Sequence, residues 1–331
     1  MSGSMETNTT EETYTDEKFY TTLSKILHVS SMVGLSGICL LGIIGNGLVI
    51  WFVAFKMKKT VNSVWFLSLA FADFTFCVFL PLQITYIALD GHWPFGSFMC
   101  KIHLFALFLN MSASVLQLTV ISIDRCISVV FPVWCQNHRT VRLAMKVVLA
   151  LWIVSLLLNA SYFIYTDTYD IKDTIVICYA DQLMLNTQVI IRFIILFVIP
   201  FTIIIFCYTV IFLRIQRNRR VTSTKPYKVI AAVIISFFIC WFPFHVFSIN
   251  ISYGMLNDLW LVVLIGNVIS DLLAFSNSCV NPLLYVFIGQ NFRQKFWSAI
   301  KSGFERAFTE DTNLRNPNRH RFSPDHAISQ M

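Results

Sequence analysis

The chain has 331 residues, 56% of them hydrophobic and only 13% charged, with 31 phenylalanines and a formal net charge of +7. Soluble domains carry roughly a quarter charged residues, so this composition excludes a water-soluble globule and points to an integral membrane protein. The excess positive charge is spread over loops, which fits asymmetry against anionic inner-leaflet lipid and argues against nucleic-acid binding.

Residues 1–27 form a polar arm carrying Glu6, Glu11, Glu12, Asp16 and Glu17. It lacks a basic segment followed by an apolar core and a cleavage site, so no cleavable signal peptide is expected and the first apolar helix serves as the insertion signal. Asn8-Thr9-Thr10 is a glycosylation acceptor in this arm, whereas the triplets at Asn110, Asn159 and Asn250 fall in or at the edge of apolar segments, where little modification is expected.

Apolar runs long enough to cross a bilayer, about 18–20 residues, follow at about 28–54, 63–89, 98–123, 145–165, 188–213, 229–252 and 260–288. Hydrocarbon offers no water to satisfy backbone groups, so seven such runs predict seven helices, and their length exceeds that of barrel strands. Basic residues collect in the odd connections and after the last span: Lys56, Lys58 and Lys59; Arg139 and Arg142; Arg217, Arg219, Arg220 and Lys225; Arg293, Lys295, Lys301 and Arg306. The fourth connection is acidic, with Asp167, Asp170, Asp173 and Asp181. Lys and Arg mark cytoplasmic loops, so the N-terminus is expected outside and the C-terminus inside.

Beyond the spans, Phe292, Phe296, Ile300 and Phe304 recur every four residues among the basic positions of 289–305, the pattern of an amphipathic helix on the inner membrane surface. Residues 306–331 are polar and are expected to be a disordered cytoplasmic tail. The fold class predicted is an all-α membrane protein, a seven-transmembrane bundle (28–288) with a short amphipathic eighth helix. No repeat or second soluble domain is visible.

Of nine cysteines, Cys39, Cys77, Cys126, Cys207, Cys240 and Cys279 lie in or at the ends of apolar helices and read as buried thiols, and Cys135 is cytoplasmic. Cys100 and Cys178 face the oxidising side, so a disulfide pinning the fourth connection to the third span is the economical reading.

An ionisable residue inside a span is costly and therefore a functional candidate. Asp73 is one. Asn110 and Ser114, four apart on one face of the third span, together with Asn46, Asn277 and Asn281, supply neutral oxygens. The group is either a small cation site, for sodium, or a hydrogen-bonded network that sets helix packing. Pro81, Pro200, Pro243 and Pro282 each remove a backbone hydrogen bond from a different span and offer hinges.

The set "GN" at 45–46, "LAFAD" at 69–73, "DRC" at 124–126 with Trp152 after it, Pro200 with Tyr208, "FFICWFPF" at 237–244 and "NPLLY" at 281–285 resembles the rhodopsin-like (class A) G-protein-coupled receptors. The resemblance covers about residues 28–305. It implies an activation switch in which Arg125 is restrained by Asp124 and released to a G-protein cavity, Tyr208 and Tyr285 swing toward it, Trp241 couples pocket to hinge, and Asn281 and Pro282 form part of the seventh-span hinge. Cys126 replaces the family's commoner tyrosine. "FKMKKTVNSVWFLSLAFADF", "HWPFGSFMCKI" and "DRCISVVFPVWCQNHRTVRLA" are similar to the chemoattractant branch, nearer to chemerin receptors than to formyl-peptide receptors. That similarity implies an inhibitory-class heterotrimeric G protein, chemotaxis and calcium release, with receptor kinases and arrestin acting on the few tail sites Thr309, Thr312, Ser323 and Ser329.

The amine-receptor aspartate position is Leu107 here, and the seventh span has no lysine for retinal. Phe108 and Gln188 stand where formyl-peptide receptors carry an aspartate and an arginine, while Arg192 matches their second arginine. Arg192 and Asp271 are expected to point into the outer cavity, where a guanidinium suits a ligand carboxylate and Asp271 could take a ligand cation, unless the two neutralise each other. Other wall candidates are Gln83, Tyr86, Leu107, Asn110, Trp241, His245 and Phe275. The acidic arm, with Tyr14 and Tyr20 as sulfation candidates, would steer a basic peptide or protein chemoattractant. A carboxylate-bearing lipid mediator needs only Arg192 and apolar walls, and a non-signalling scavenger would share the fold. A transporter would show paired broken helices or repeats, and no nucleophile–base set is present for an enzyme. No cofactor is expected to be required; an allosteric sodium ion is the one candidate. The fourth span lacks the outer proline of many relatives, with Asn159-Ala160-Ser161 in its place, and no cysteine adjoins the eighth helix for lipidation.

Overall fold

A computed structural model describes the backbone of residues 3–171, 174–217, 225–254, 259–288 and scattered positions between 294 and 301, with side chains described from Lys18 onward over most of that range. In chain order the elements are α1 (Gly3–Phe55), α2 (Val61–Ala88), α3 (Gly96–Val130), a short α4 (Pro132–His138), α5 (Val141–Tyr165), the strands β1 (Thr166–Ile171) and β2 (Ile175–Ala180), α6 (Gln182–Phe193), a π turn over Ile194–Val198, α7 (Ile199–Arg217), α8 (Lys225–Tyr253) and α9 (Trp260–Ile288). Among the described residues seven stretches are helical, long and apolar enough to cross a membrane: Lys18–Phe55, Val61–Ala88, Gly96–Val130, Val141–Tyr165, Gln182–Arg217, Ile234–Tyr253 and Leu261–Pro282. These match the seven predicted runs. The eighth helix and the tail fall almost wholly outside the described residues, as do the side chains of Asn8, Tyr14 and Tyr285.

The ends of these helices follow local chemistry. Thr60 caps α2 by accepting from the Ser63 amide at 3.1 Å, while the Ser63 hydroxyl accepts from the Thr60 amide at 2.7 Å, a reciprocal capping box. Thr140 caps α5 by accepting from the Leu143 amide, and Asp181 caps α6 by accepting from the Met184 amide. Between Gly3 and Gly34 the sequence holds no glycine or proline, so nothing breaks α1 and the first helix begins well before residue 28. In the fifth span, Pro200 has no N–H to give. The helix absorbs this one turn earlier as the π turn, in which the Ile199 amide bonds the Ile194 carbonyl five residues back.

The third span sits at the centre. Its apolar window is 72% buried, against 17% for that of the fourth, which lies at the periphery. Polar side chains therefore concentrate on the inward faces of α2, α3 and α9, while Leu40, Ile44, Leu149, Ile153 and Leu157 look outward, where lipid is the solvent. The peripheral fourth span is held by polar pins: the Trp152 indole donates to Ser68 at 3.1 Å, and Asn159 donates to Ser112 at 2.7 Å. Asn159 thus performs a packing task at the position where the proline is missing. With Asn110 and Asn250 it is buried, as expected for triplets inside spans.

The fourth connection is an antiparallel hairpin of β1 and β2, with Thr166 opposite Ala180 and Ile171 opposite Ile175. Cys178 of β2 is bonded to Cys100 at the start of α3, with 5.5 Å between the Cα atoms. The loop between α2 and α3 clasps the same hairpin. Trp93, 1% exposed, donates its amide to the Val176 carbonyl at 2.7 Å and its indole N–H to Gly96 O, while the Val176 amide donates to His92 Nδ1. On the outer side of the hairpin, Asp167 accepts from Ser97 and from the Thr168 amide and faces Lys101 at 3.8 Å. The Ser97 hydroxyl first, then the Thr168 amide, hold the Asp167 carboxyl below its ordinary range.

Candidate functional site

Three polar constellations lie along the bundle. In the half of the bundle that carries the hairpin, Arg192 lies in the last turn of α6 and is 5% exposed. Its Nη1 donates to the Tyr162 hydroxyl at 2.9 Å, and its guanidinium carbon lies 4.4 Å from the Phe108 ring centre and 5.3 Å from that of Phe244. Phe108 stacks on Tyr162 at 4.2 Å, and Phe244 meets Trp241 edge-on at 5.5 Å. His245 packs against Phe193 and Phe197. The result is a cation held between aromatic faces, with a side cleft of about 10 Å³, room for one water, opening past Asn159 and Gln188. Among the described residues no carboxylate pairs with Arg192, and its Nε has no hydrogen-bond partner. Asp271 is exposed and makes no ion pair there, so the two charges do not neutralise each other in this arrangement.

The other wall candidates divide. Leu107, Asn110, Trp241, His245 and Phe275 are buried on the inward faces. Gln83 and Tyr86 are engaged higher up: Gln83 Oε1 meets His103 Nε2 at 2.9 Å, and Tyr86 packs on Trp93, 6.0 Å between rings. Tyr162 and Phe244 escaped the sequence reading because an aromatic residue in an apolar run carries no signal that its edge or hydroxyl faces a cation.

At the middle of the bundle Asp73 is fully buried, and Asn281 donates to its Oδ2 at 2.7 Å. Asn110 satisfies its whole amide in the orientation that donates to Asp73 Oδ1 (3.3 Å) and the Ala72 carbonyl (3.2 Å) while accepting from Ser278 (3.1 Å). Asn46 donates to Gly42 O and Ser278 O, tying α1 to α9. Ser114 Oγ, Asn277 Oδ1, Asn281 Oδ1 and Asn46 Oδ1 are buried and lack hydrogen-bond partners among the described residues. Buried polar atoms normally find partners. A carboxylate beside several unpartnered neutral oxygens is the donor set of a small hard cation or of bound water.

At the end of the bundle away from the hairpin Asp124 is shared. Arg139 grips it with two bonds, Nε to Oδ1 at 2.7 Å and Nη2 to Oδ2 at 2.9 Å, whereas the closest approach of Arg125 is Nε to Oδ2 at 3.8 Å. Asn62 links the two, since its Oδ1 accepts from Nη2 of Arg139 at 2.8 Å and from Nη2 of Arg125. The pair expected from adjacent residues is therefore a four-residue network, in which Arg139 holds the bidentate position. The Tyr208 hydroxyl is buried nearby in α7 without a hydrogen-bond partner among the described residues.

Residues 45–285 match the family model of the seven-transmembrane receptor (rhodopsin family). The chain is 40% identical to chemerin-like receptor 1 of Sus scrofa over 344 aligned residues, covering 95% of this chain and 94% of that protein. It is 42% identical to chemerin-like receptor 1 of Homo sapiens, covering 87% and 82%. To formyl peptide receptor 2 of Mus musculus it is 41% identical, covering 88% of each chain.

Proposed function

The chain belongs to the rhodopsin family of seven-transmembrane receptors, and from that premise we propose that it is a cell-surface receptor for a chemoattractant peptide or protein. The observation that carries this reading is Arg192: a buried guanidinium with ring faces on two sides and, among the described residues, no carboxylate partner. Placing an ion there is costly unless something pairs with it, and the C-terminal carboxylate of a peptide is a bidentate complement. The names of the relatives support the same class. The peptide body lies against the hairpin and the acidic arm, and Asp271 is free to take a basic group near its end. A lipid mediator with a carboxylate is the second reading, favoured by the apolar and aromatic character of the cage.

Signalling follows through an inhibitory-class G protein to chemotaxis and calcium release, with the N-terminus outside and the tail open to receptor kinases and arrestin. Ligand engagement at the cage moves Trp241 and the α8 bend at Pro243. At the inner end Arg125 leaves the Asp124–Asn62–Arg139 network, and Tyr208 and Tyr285 close on it. Asp73, Asn110, Ser114, Asn277 and Asn281 hold a sodium ion that favours the resting state.

The test is inhibition of cyclic AMP in cells expressing the chain, against chemoattractant peptides, chemerin C-terminal peptides and carboxylate lipids, with Arg192→Ala and Arg125→Ala in parallel. A response to one class that vanishes in both variants is expected. Binding and internalisation of ligand without any cyclic AMP response would replace the signalling reading with a scavenger.

A further inference from the structure

The fourth connection is a sheet of two strands, so it has two edges. In an antiparallel ladder, residues whose N–H and C=O bond the facing strand alternate with residues whose N–H and C=O turn away from it. Val176 of β2 turns away: its amide donates to His92 Nδ1 at 3.1 Å, and its carbonyl accepts from the Trp93 amide at 2.7 Å. Its opposite number on β1 is Asp170, whose N–H and C=O therefore point out of the other edge. The Asp181 amide, which donates to the Tyr165 carbonyl at 3.1 Å, gives the same phase from the base of the hairpin, with Asp167, Tyr169 and Ile171 bonded toward β2. The β2 edge is thus closed at Val176 by the loop between α2 and α3. At the β1 edge neither the Asp170 amide nor its carbonyl has a hydrogen-bond partner among the described residues.

An unpaired strand edge is a template for a further strand. Its surroundings select which strand. Residues 166–181 contain Asp167, Asp170, Asp173 and Asp181 against the single Lys172. Asp167 is engaged by Ser97 and Lys101, whereas Asp170 is exposed and forms no ion pair among the described residues. Residues two apart on a strand share a face, as do residues opposite each other. Tyr169, Ile171, Ile175 and Ile177 accordingly form one apolar face, on which Tyr169, Ile171 and Ile175 are exposed, and Asp170 belongs to the other face. A strand laid beside β1 meets apolar side chains at every second residue and a free carboxylate between them.

We propose that the open edge of β1 takes an extended segment of an extracellular peptide or protein as a third strand, a segment in which apolar and basic side chains alternate. Its backbone bonds the Asp170 N–H and C=O, its apolar residues cover Tyr169 and Ile171, and a basic residue pairs with the Asp170 carboxylate across the strands. The class of partner rests on the receptor reading above, and the open edge does not. The contact makes no use of Arg192, so it holds the body of a ligand whichever end enters the bundle.

The experiment uses the full chain, purified in non-ionic detergent, and a short synthetic peptide of alternating valine and lysine. The peptide is amidated at its C-terminus and carries a photoactivatable side chain at one central valine position. After irradiation, labelled fragments are mapped by mass spectrometry, and labelling is expected to concentrate on 167–171. Asp170→Pro removes the outward N–H without touching a ladder bond, and labelling falls on the order of tenfold. The Cys100–Cys178 link, read in the same digest, reports that the hairpin is intact. If Asp170→Pro fails to fold, the fully N-methylated peptide on the native chain reads the same contact, with its side chains and charge kept and its N–H groups gone. Asp170→Asn keeps the N–H and loses about two- to threefold. Arg192→Ala leaves labelling by this amidated peptide unchanged, so failure of the Arg192 reading and failure of the strand reading are told apart. Absence of labelling on 167–171, equal labelling by the N-methylated peptide, or a second copy of the chain cross-linked there in place of the peptide overturns the proposal.

Discussion

Replacing Arg192 by Met separates what the arginine does for the fold from what it does for a ligand. In the unliganded protein its burial has an effective cost of several kcal/mol. Against that stand one hydrogen bond to a charged group, about 1.5–3 kcal/mol, and two ring faces, up to ~2 kcal/mol each when desolvated. These terms nearly cancel, so Arg192→Met shifts unliganded stability by less than ~2 kcal/mol, and Tyr162→Phe in the same chain removes the hydroxyl left without its partner. The ligand sees a different balance. Removing one member of a buried charge pair costs about 2–5 kcal/mol of binding, or roughly 30-fold to several-thousand-fold in Kd.

The assay is displacement binding with one active peptide prepared as free acid and as C-terminal amide, on the native chain and on Arg192→Met, with thermal unfolding of each purified protein alongside. The four affinities form a cycle whose coupling term isolates the carboxylate–guanidinium contact. A coupling of ~2 kcal/mol or more is expected, with amide and acid alike on the Met variant. A coupling below ~0.5 kcal/mol, with the native chain binding amide and acid equally, refutes the assignment of Arg192 to the ligand carboxylate.

Three further outcomes follow. Asp73→Asn abolishes the sodium sensitivity of agonist affinity, and sensitivity that persists in a sodium titration returns Asp73 to a packing role. Asn62→Ala removes an acceptor shared by Arg125 and Arg139 and raises ligand-independent G-protein activation severalfold, corresponding to about 1 kcal/mol lost from the resting state; Arg139→Ala, which hands Asp124 to Arg125, does not raise it. Cys178→Ser opens a link across 78 residues, worth ~4–5 kcal/mol in the chain-entropy account, and lowers surface expression and agonist binding together, while Trp93→Ala, which loosens the hairpin without opening the chain, reduces binding more than expression.

The parts legible in sequence are those in which one residue carries the signal. A twenty-residue apolar run states a span by its length, and a lone Arg192 or Asp73 inside such a run states a polar site by its cost. Networks were not legible. Arg125 and Asp124 are adjacent and read as a pair, yet the stronger partner of Asp124 is fifteen residues on and their common acceptor is sixty-two residues before Asp124. The hairpin was hidden because its six-residue strands alternate weakly, with burial at only one end of β1. The orphaned oxygens around Asp73 required coordinates, since Asn277 and Asn281 look alike in a sequence although only Asn281 reaches the carboxylate.

Communication between the outer cage and the inner network has a physical substrate that can be followed residue by residue. Arg192 lies over Phe244, Phe244 abuts Trp241, and Trp241 lies 6.0 Å from Phe237 one turn further in on α8. Pro243 sits within this run, so α8 lacks a backbone bond where the rings change level. Contiguity alone does not constitute coupling, which requires an element with two arrangements that both ends bias. A ligand shifts that element only by the difference in its affinity for the two arrangements. The cage supplies such a difference if the ligand carboxylate draws Arg192 off Tyr162 and Phe244, freeing the ring on which Trp241 rests. Tyr162→Phe alone then weakens the resting hold on Arg192, so it raises agonist potency without a new ligand contact. Unchanged potency in a concentration–response curve would place the coupling outside this chain of rings.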